Sequence, residues 1–205
     1  MKVEYKELPP PLELKMTLGE ALARRCSIRD FTQRQLSLAE ISTLLWSAQG
    51  ITHGDHLRTV PSAGALYPLR IYVLTWEGIF AYSSLSHAWG KYKDGDHREA
   101  LARAALGQYP VHEAPVDFVI GGHADITAQK YGHRAERHMY CEMGHAAQNM
   151  QLVVTALGLG SVAIGAFDDD AISELLGLKE QKYTPGYIVP VGEPLAGCIQ
   201  HGDDR

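Results

Sequence analysis

The segment from Ala135 to Phe167, AERHMYCEMGHAAQNMQLVVTALGLGSVAIGAF, decides how the rest of the chain is read. Met139, Met143, Ala146, Ala147, Met150, Val153, Val154 and Leu157 recur at steps of three, four and one. That spacing puts one apolar stripe on a helix of about six turns. Gly158 and Gly160 are expected to stop the helix, because glycine tolerates the left-handed conformation a C-cap needs. Ser161–Gly165 then reads as a short buried strand and Ala163–Phe167 as the turn leaving it. A long apolar helix carrying Gly144, Ala146 and Ala147, which let a neighbour come close, suits the spine of a domain or of a dimer.

Outward from this helix, the remaining pattern mixes hairpin and crossover. Thr17-Leu18-Gly19-Glu20 and Ser37-Leu38-Ala39-Glu40 are capping boxes. The first opens a short helix to about Arg24. The second opens a helix with Leu38, Ile41, Leu44, Leu45 and Ala48 inward, ended by Gly50. Arg70–Trp76 and Ile79–Tyr82 form a predicted hairpin around Glu77-Gly78. His97–Leu106 and Asp170–Leu176 read as helices, Pro115–Ile120 and Tyr187–Val191 as strands, and ITHGDHLRTV as a loop. Residues 1–16, with Pro9-Pro10-Pro11, read as an extended arm, and residues 17–205 as one domain of α+β class.

Composition excludes several function classes. Net charge is −5 with no basic face, which argues against nucleic acid. No apolar run approaches the length of a membrane span, and the N-terminus lacks the apolar core of a signal peptide. Three widely spaced cysteines, Cys26, Cys141 and Cys198, form no CxxC pair, so a reducing cytoplasm is the expected setting. His138, Cys141, Glu142 and His145 could be drawn as a metal site, but no HExxH spacing supports it and ten histidines will group by chance. No metal is expected.

Two stretches carry chemistry. In RRCSIRDF, an extended backbone would turn Arg25, Ser27 and Arg29 to one side and Cys26, Ile28 and Asp30 to the other. Two guanidinium forks around a hydroxyl match a phosphate; an ordinary basic turn beside a helix C-terminus is the alternative. Pro61–Pro68, PSAGALYP, is a small-residue segment that lets backbone approach a flat ligand or another chain.

Taken together, RRCSIRDF, PSAGALYPLRIYVL and EMGHAAQNMQLVVTALGLGSVAIGAF resemble the nitroreductase family of FMN flavoproteins, and PSAGALYP and GHAAQN its SagB-type dehydrogenase branch. The resemblance spans roughly residues 17–192. It implies a nitroreductase-like fold with a mainly antiparallel central sheet flanked by helices, and an intertwined homodimer with FMN at the subunit interface. Arg25, Cys26, Ser27 and Arg29 then fall at the FMN phosphate and ribityl contacts. Pro61, Ser62, Ala63 and Ala65 fall where the partner subunit meets the flavin, and Gln108 at the pyrimidine edge of the ring. Ile164, Gly165 and Ala166 fall where backbone approaches flavin N5. Gly165 stands where many nitroreductases have glutamate. The Lys/Arg pair that family members carry near the C-terminus has only Arg205 as a counterpart.

In the SagB-type branch a Lys-Tyr pair serves as base and orienting group, and Lys130-Tyr131 occupies the matching place. The same dipeptide recurs at Lys91-Tyr92 and Lys182-Tyr183, and a loop lysine is ordinarily a solvated charge. What the resemblance implies is an FMN-dependent oxidoreductase acting on a small-molecule or peptide substrate. Its reaction is either NAD(P)H-dependent reduction of nitro or quinone acceptors or SagB-type dehydrogenation. The competing expectation is a scaffold subunit of a peptide-modifying complex.

Overall fold

The computed structural model describes residues 4–54, 56–178 and 182–197. Nine strands and seven α-helices are described. The strands are β1 (Tyr5–Glu7), β2 (Ile51–His53), β3 (Leu57–Arg58), β4 (Leu69–Thr75), β5 (Gly78–Ser83), β6 (Ala88–Asp94), β7 (Val116–Gly122), β8 (Gly160–Ser161) and β9 (Thr184–Gly192). The helices are α1 (Leu18–Arg24), α2 (Leu38–Gln49), α3 (Arg98–Ala104), α4 (Tyr109–Glu113), α5 (Ala124–Tyr131), α6 (Ala135–Ala156) and α7 (Asp169–Leu175). This is the expected α+β, nitroreductase-like architecture: an antiparallel sheet in the order β1-β6-β5-β4-β7-β9-β8, flanked by helices.

The central strands are apolar on both sides because both sides are covered. In β4, Ile71 and Val73 join Phe118, Ile120, Val189 and the inner residues of α2 and α6. Tyr72 and Leu74 alternate with them and join Val119, Ile188 and the inner residues of α3 and α7. The stripe predicted on α6 is the buried one: Met139, Met143, Ala146, Ala147, Met150 and Val154 are almost inaccessible, and Val153 and Leu157 pack beside them. Both capping boxes form, with Thr17 and Ser37 accepting from the amides of Glu20 and Glu40.

Several local expectations are corrected. Gly158 caps α6 with φ +71, and the Leu159 amide reaches back to the Val154 carbonyl. Gly160 takes no part in that stop. It lies in β8, where a side chain would run into Ile28. Ser161–Gly165 is not a continuous strand, since pairing covers Gly160–Ser161 and resumes as a bridge between Ile164 and Ile188. ITHGDHLRTV holds the hairpin β2–β3 rather than a plain loop. The β4–β5 turn is Trp76-Glu77, because Thr75 already pairs with Gly78. Gly144 meets nothing within 4 Å in its own chain. Close approach to α6 comes instead from the sheet, where a side chain on Gly122 or Gly186 would collide with Met139 or Met143.

The N-terminal arm is extended, and part of it is an edge strand. Tyr5 and Glu7 pair with Gly90 and Ala88. The Pro9 carbonyl then accepts from the buried Ser42 hydroxyl, with His87 Nε2 3.0 Å away. No helix of the described residues is long and apolar enough to cross a membrane.

Candidate functional site

The residues singled out in the sequence fall into two groups at opposite ends of α6. The first begins where α1 ends. Arg25 leaves the helix at φ −58, ψ 120, and residues 26–30 are neither helix nor strand. The Ile28 amide donates to the Ser161 carbonyl at 2.9 Å, and Ile28 packs with Phe31 and Ala114. That anchor fixes the alternation. Cys26 and Ile28 face a cavity of about 130 Å3 shared with Thr155, Leu159 and Ser161. Arg25 stays half-buried, and Ser27 and Arg29 stay exposed. Neither guanidinium is paired with a carboxylate among the described residues. Cys26 is exposed and unoxidised, on the cavity side of the segment.

The same anchor places Ile164–Ala166 on this flank. Ile164 exchanges two hydrogen bonds with Ile188, at 2.8 and 2.9 Å, which holds the start of the turn. Gly165 and Ala166 are exposed, and no described residue accepts their amide hydrogens. Gln108 is brought to the same turn, its Nε2 donating to the Ala166 carbonyl at 2.7 Å. One amide N–H and the amide oxygen of Gln108 remain for another partner. Arg205 and Cys198 lie outside the described residues.

The second group surrounds Pro61–Pro68. Here the backbone folds on itself: the Ala65 amide donates to the Ser62 carbonyl at 3.0 Å and the Tyr67 amide to Ser62 Oγ at 2.8 Å. Gly64, Ala65 and Tyr67 all have positive φ, at +64, +54 and +50. Glycine takes this conformation freely, but alanine and tyrosine each pay about 1–2 kcal/mol for it. A strained turn of this kind persists only where its surroundings over-determine it. Asn149 of α6 helps, donating to the Ser47 and Thr59 carbonyls at 3.2 Å each and so fixing the approach to Pro61. The last turn of α5 lies over the segment. A side chain on Gly64 would sit 3.1 Å from Lys130 Nζ and 3.2 Å from Tyr131 Oη.

Beside this turn opens a pocket of about 420 Å3, lined by Pro61, Ser62, Ala63, Tyr131, His138, Cys141, Glu142 and His145. Glu142 is the buried pocket residue that the sequence motifs leave out. It is 2% exposed, and its Oε1 has no hydrogen-bond partner among the described residues. Burial pushes its carboxyl up to about 7, against the opposing pull of the Ser62 hydroxyl and the Arg58 charge. A signal for it is present in the sequence, because Glu142 is three residues on from Met139 and adjacent to Met143, inside the buried sector of the stripe. Among the described residues no three His, Cys, Asp or Glu side chains converge as a metal site.

Glu142 beside one group and Thr155 beside the other are separated along α6 by about 20 Å, at a rise of 1.5 Å per residue. Arg25, Ser27, Arg29, Gln108 and Ile164–Ala166 thus lie apart, within one chain, from Pro61–Ala65, Lys130 and Tyr131.

The profile of the nitroreductase family matches residues 22–193. The Methanocaldococcus jannaschii nitroreductase homologue MJ1384 is 38% identical over 195 residues, covering 92% of this chain and 96% of that one. Among solved structures, the Ralstonia eutropha JMP134 protein reut_a1228 superposes with a TM-score of 0.81 at 26% identity, covering 93% of this chain and 89% of its own. A chain of the E. coli microcin synthetase McbBCD complex, solved with truncated pro-MccB17 bound, superposes with a TM-score of 0.73 at 23% identity. The match covers 82% of this chain and 68% of that one, a likeness of fold. With its profile matched from α1 to the end of β9, the chain belongs to the nitroreductase family, whose members are generally FMN-dependent oxidoreductases.

Proposed function

We propose that the protein is an FMN-dependent oxidoreductase that works as a homodimer and dehydrogenates a small-molecule or peptide substrate in the SagB manner. The observation that carries this reading is the placement of Lys130 and Tyr131 directly over Gly64 in the Pro61–Ala65 turn. An amine and a hydroxyl thereby lie against the turn, which supports reading Lys130 as the base and Tyr131 as its orienting group.

The residues fit FMN. Two guanidinium groups flank Ser27 without an internal carboxylate partner, and a dianionic phosphate is the ligand that such forks recognise. The amide hydrogens of Gly165 and Ala166 are unspent on the same flank, together with part of the Gln108 amide. Bound there, FMN supplies two-electron hydride chemistry at its N5. Arg25, Ser27 and Arg29 hold the phosphate. Gln108 and the 165–166 amides orient the ring and meet the charge it acquires on reduction. Pro61, Ser62, Ala63 and Ala65 of one protomer close over the half-site of its partner, bringing Lys130 and Tyr131 with them. Lys130 takes the carbon-bound proton from the substrate, and Tyr131 Oη keeps the lysine in position.

The test is Lys130→Ala, assayed for oxidation of azoline-type substrates. The expected rate loss is about 10²–10⁴, the usual worth of a positioned general base, with flavin content unchanged. Equal rates in the variant and the wild type would leave NAD(P)H-dependent reduction of nitro or quinone acceptors, which needs no such base. The fold likeness to a chain of the microcin synthetase complex supports a second reading, a scaffold subunit of a peptide-modifying complex. Protein purified without a flavin absorption band, and unable to take up FMN, would favour that reading.

A further inference from the structure

We propose that Arg58 is a positioning residue for the flavin-facing turn: its guanidinium, tied to α2 through Gln49, lies on the Tyr67 ring and holds Pro61–Tyr67 in its strained form beneath Lys130 and Tyr131. This deepens the proposed function and rests on it for the role of the turn, whereas the hold on Tyr67 is a property of the polypeptide.

The turn needs a hold because of the residue at its end. Tyr67 has φ +50, a left-handed conformation that is an outlier for a bulky side chain. Pro68 follows it, and the residue before a proline is pushed toward extended backbone. The Tyr67 amide nevertheless closes the turn, donating to Ser62 Oγ at 2.8 Å. Gly64 and Ala65, also left-handed, lie inside that closure, and Lys130 and Tyr131 rest on Gly64. The Pro68 carbonyl then accepts the His123 amide at 3.0 Å, one residue before α5, the helix that carries Lys130 and Tyr131. Tyr67 is therefore the joint between the turn and the helix packed on it.

Arg58 is placed to supply that hold. Its backbone is fixed on both sides: Arg58 pairs with Ile51 across the β2–β3 hairpin, and the Thr59 amide donates to the Gly50 carbonyl at 2.9 Å. Arg58 Nη1 donates to Oε1 of Gln49, the last residue of α2, which is 1% exposed. With one edge so pinned, the guanidinium lies over Tyr67, its Cζ 4.4 Å from the ring centroid. Among the described residues no carboxylate forms an ion pair with this half-buried cation, and its Nε has no hydrogen-bond partner. The Tyr67 face and the Gln49 oxygen are thus what offset the burial of its charge, and the pull of a ring face on a cation grows as water is excluded. A lysine would keep the charge but lose both the fork that reaches Gln49 and the plane that stacks.

The experiment follows hydrogen exchange of the Ala65 amide in the full chain, corrected for intrinsic rates. The amides of β7 report global unfolding, and FMN affinity is measured by titration. Arg58→Lys is expected to lower Ala65 protection by about three- to tenfold, the worth of a partly desolvated cation–ring contact, and to leave β7 unchanged. Tyr67→Phe keeps the ring face and is expected to match the wild type. Tyr67→Asn offers no ring but takes left-handed backbone readily, so Arg58→Lys added to it is expected to lower protection no further. The difference between the two backgrounds measures the coupling. Undiminished protection in Arg58→Lys would overturn the proposal. So would an equal fall in both backgrounds, or a fall of the same size in β7, since either makes Arg58 a source of general packing. FMN affinity is expected to drop together with Ala65 protection. Protection that behaves as expected while FMN affinity stays level would uphold the hold on the turn and overturn the placement of flavin against it.

Discussion

Asp117 is the second residue of β7, facing Leu74 on one neighbouring strand and Pro190 on the other, and is completely buried. Neither of its carboxyl oxygens has a hydrogen-bond partner among the described residues. Burial drives its carboxyl well above the ordinary range; the Arg98 charge opposes this, and Asp96 reinforces it. The fold therefore takes up a proton at Asp117 that the unfolded chain releases near pH 4. Its contribution to stability is complete below that value and declines as pH rises toward the raised one, at a limiting slope of about 1.4 kcal/mol per pH unit. Glu142 adds a decline of the same sign between about 4.5 and 7. Asp117→Asn is expected to match the wild type in denaturant unfolding at pH 4 and to gain on it steadily as pH rises to 8. Parallel curves for the two proteins across that window would show that Asp117 is ionised in the fold.

At the scale of elements, legibility follows locality. The α6 stripe, the two capping boxes and the β4–β5 hairpin rest on residues a few positions apart, and each is readable from local spacing alone. The pairing of β1 with β6, more than eighty positions apart, is set by partners that no short-range pattern reports. The hairpin β2–β3 is local, but it is short and largely polar and lacks the apolar alternation that marks a strand. The site divides in the same way. Arg25–Arg29, Pro61–Ala65 and Ile164–Ala166 stand out as contiguous motifs, whereas Glu142 shares its pocket with Ser62, eighty positions earlier, and in the sequence passes for part of a chance cluster. The glycines mislead for the same reason. Gly144 in α6 has the pattern of a point of close approach, yet the residues that admit α6 are Gly122 and Gly186 on β7 and β9. A Cβ on Gly122 would lie 2.6 Å from Met139 Cγ and 2.7 Å from Met143 Cε. Methionine tails can shift, so Gly122→Ala is expected to cost about 1–3 kcal/mol, the usual range for overpacking. Gly144→Ala, in open space on the same helix, should be neutral or slightly stabilising in the isolated fold by helix propensity. Thermal unfolding of the pair checks this contrast, and equal losses would mean that α6 does not press on the sheet at Gly122.

For the whole molecule, the two half-sites pose a geometric question that one chain does not answer. They are about 20 Å apart along α6, yet a single flavin is expected to need the guanidinium groups of one and the Pro61–Ala65 turn of the other. Two-fold pairing of protomers, as proposed, would resolve this, because each half-site would then meet its complement on the partner, twice. The surface supports such pairing. Leu18 and Leu22, one turn apart on one face of α1, are 67% and 56% exposed, as residues that a partner covers would be. A permanent dimer would bury more than about 2,000 Å2. The decisive test is complementation between two defective chains. Arg25→Ala with Arg29→Ala removes one half-site. Gly64→Val removes the other, since a branched side chain is strained at φ +64 and would press on Lys130 and Tyr131. Each homodimer is expected to bind FMN at least tenfold more weakly than the wild type, from the loss of charge-assisted bonds or of the turn. In a mixed dimer, the intact half of each chain meets the intact half of the other in one of the two sites. With random mixing, half the dimers are mixed, so about a quarter of all sites should recover wild-type affinity. Titration of the refolded mixture should then show a tight class of that size. If each site were built within one chain, mixing would restore none.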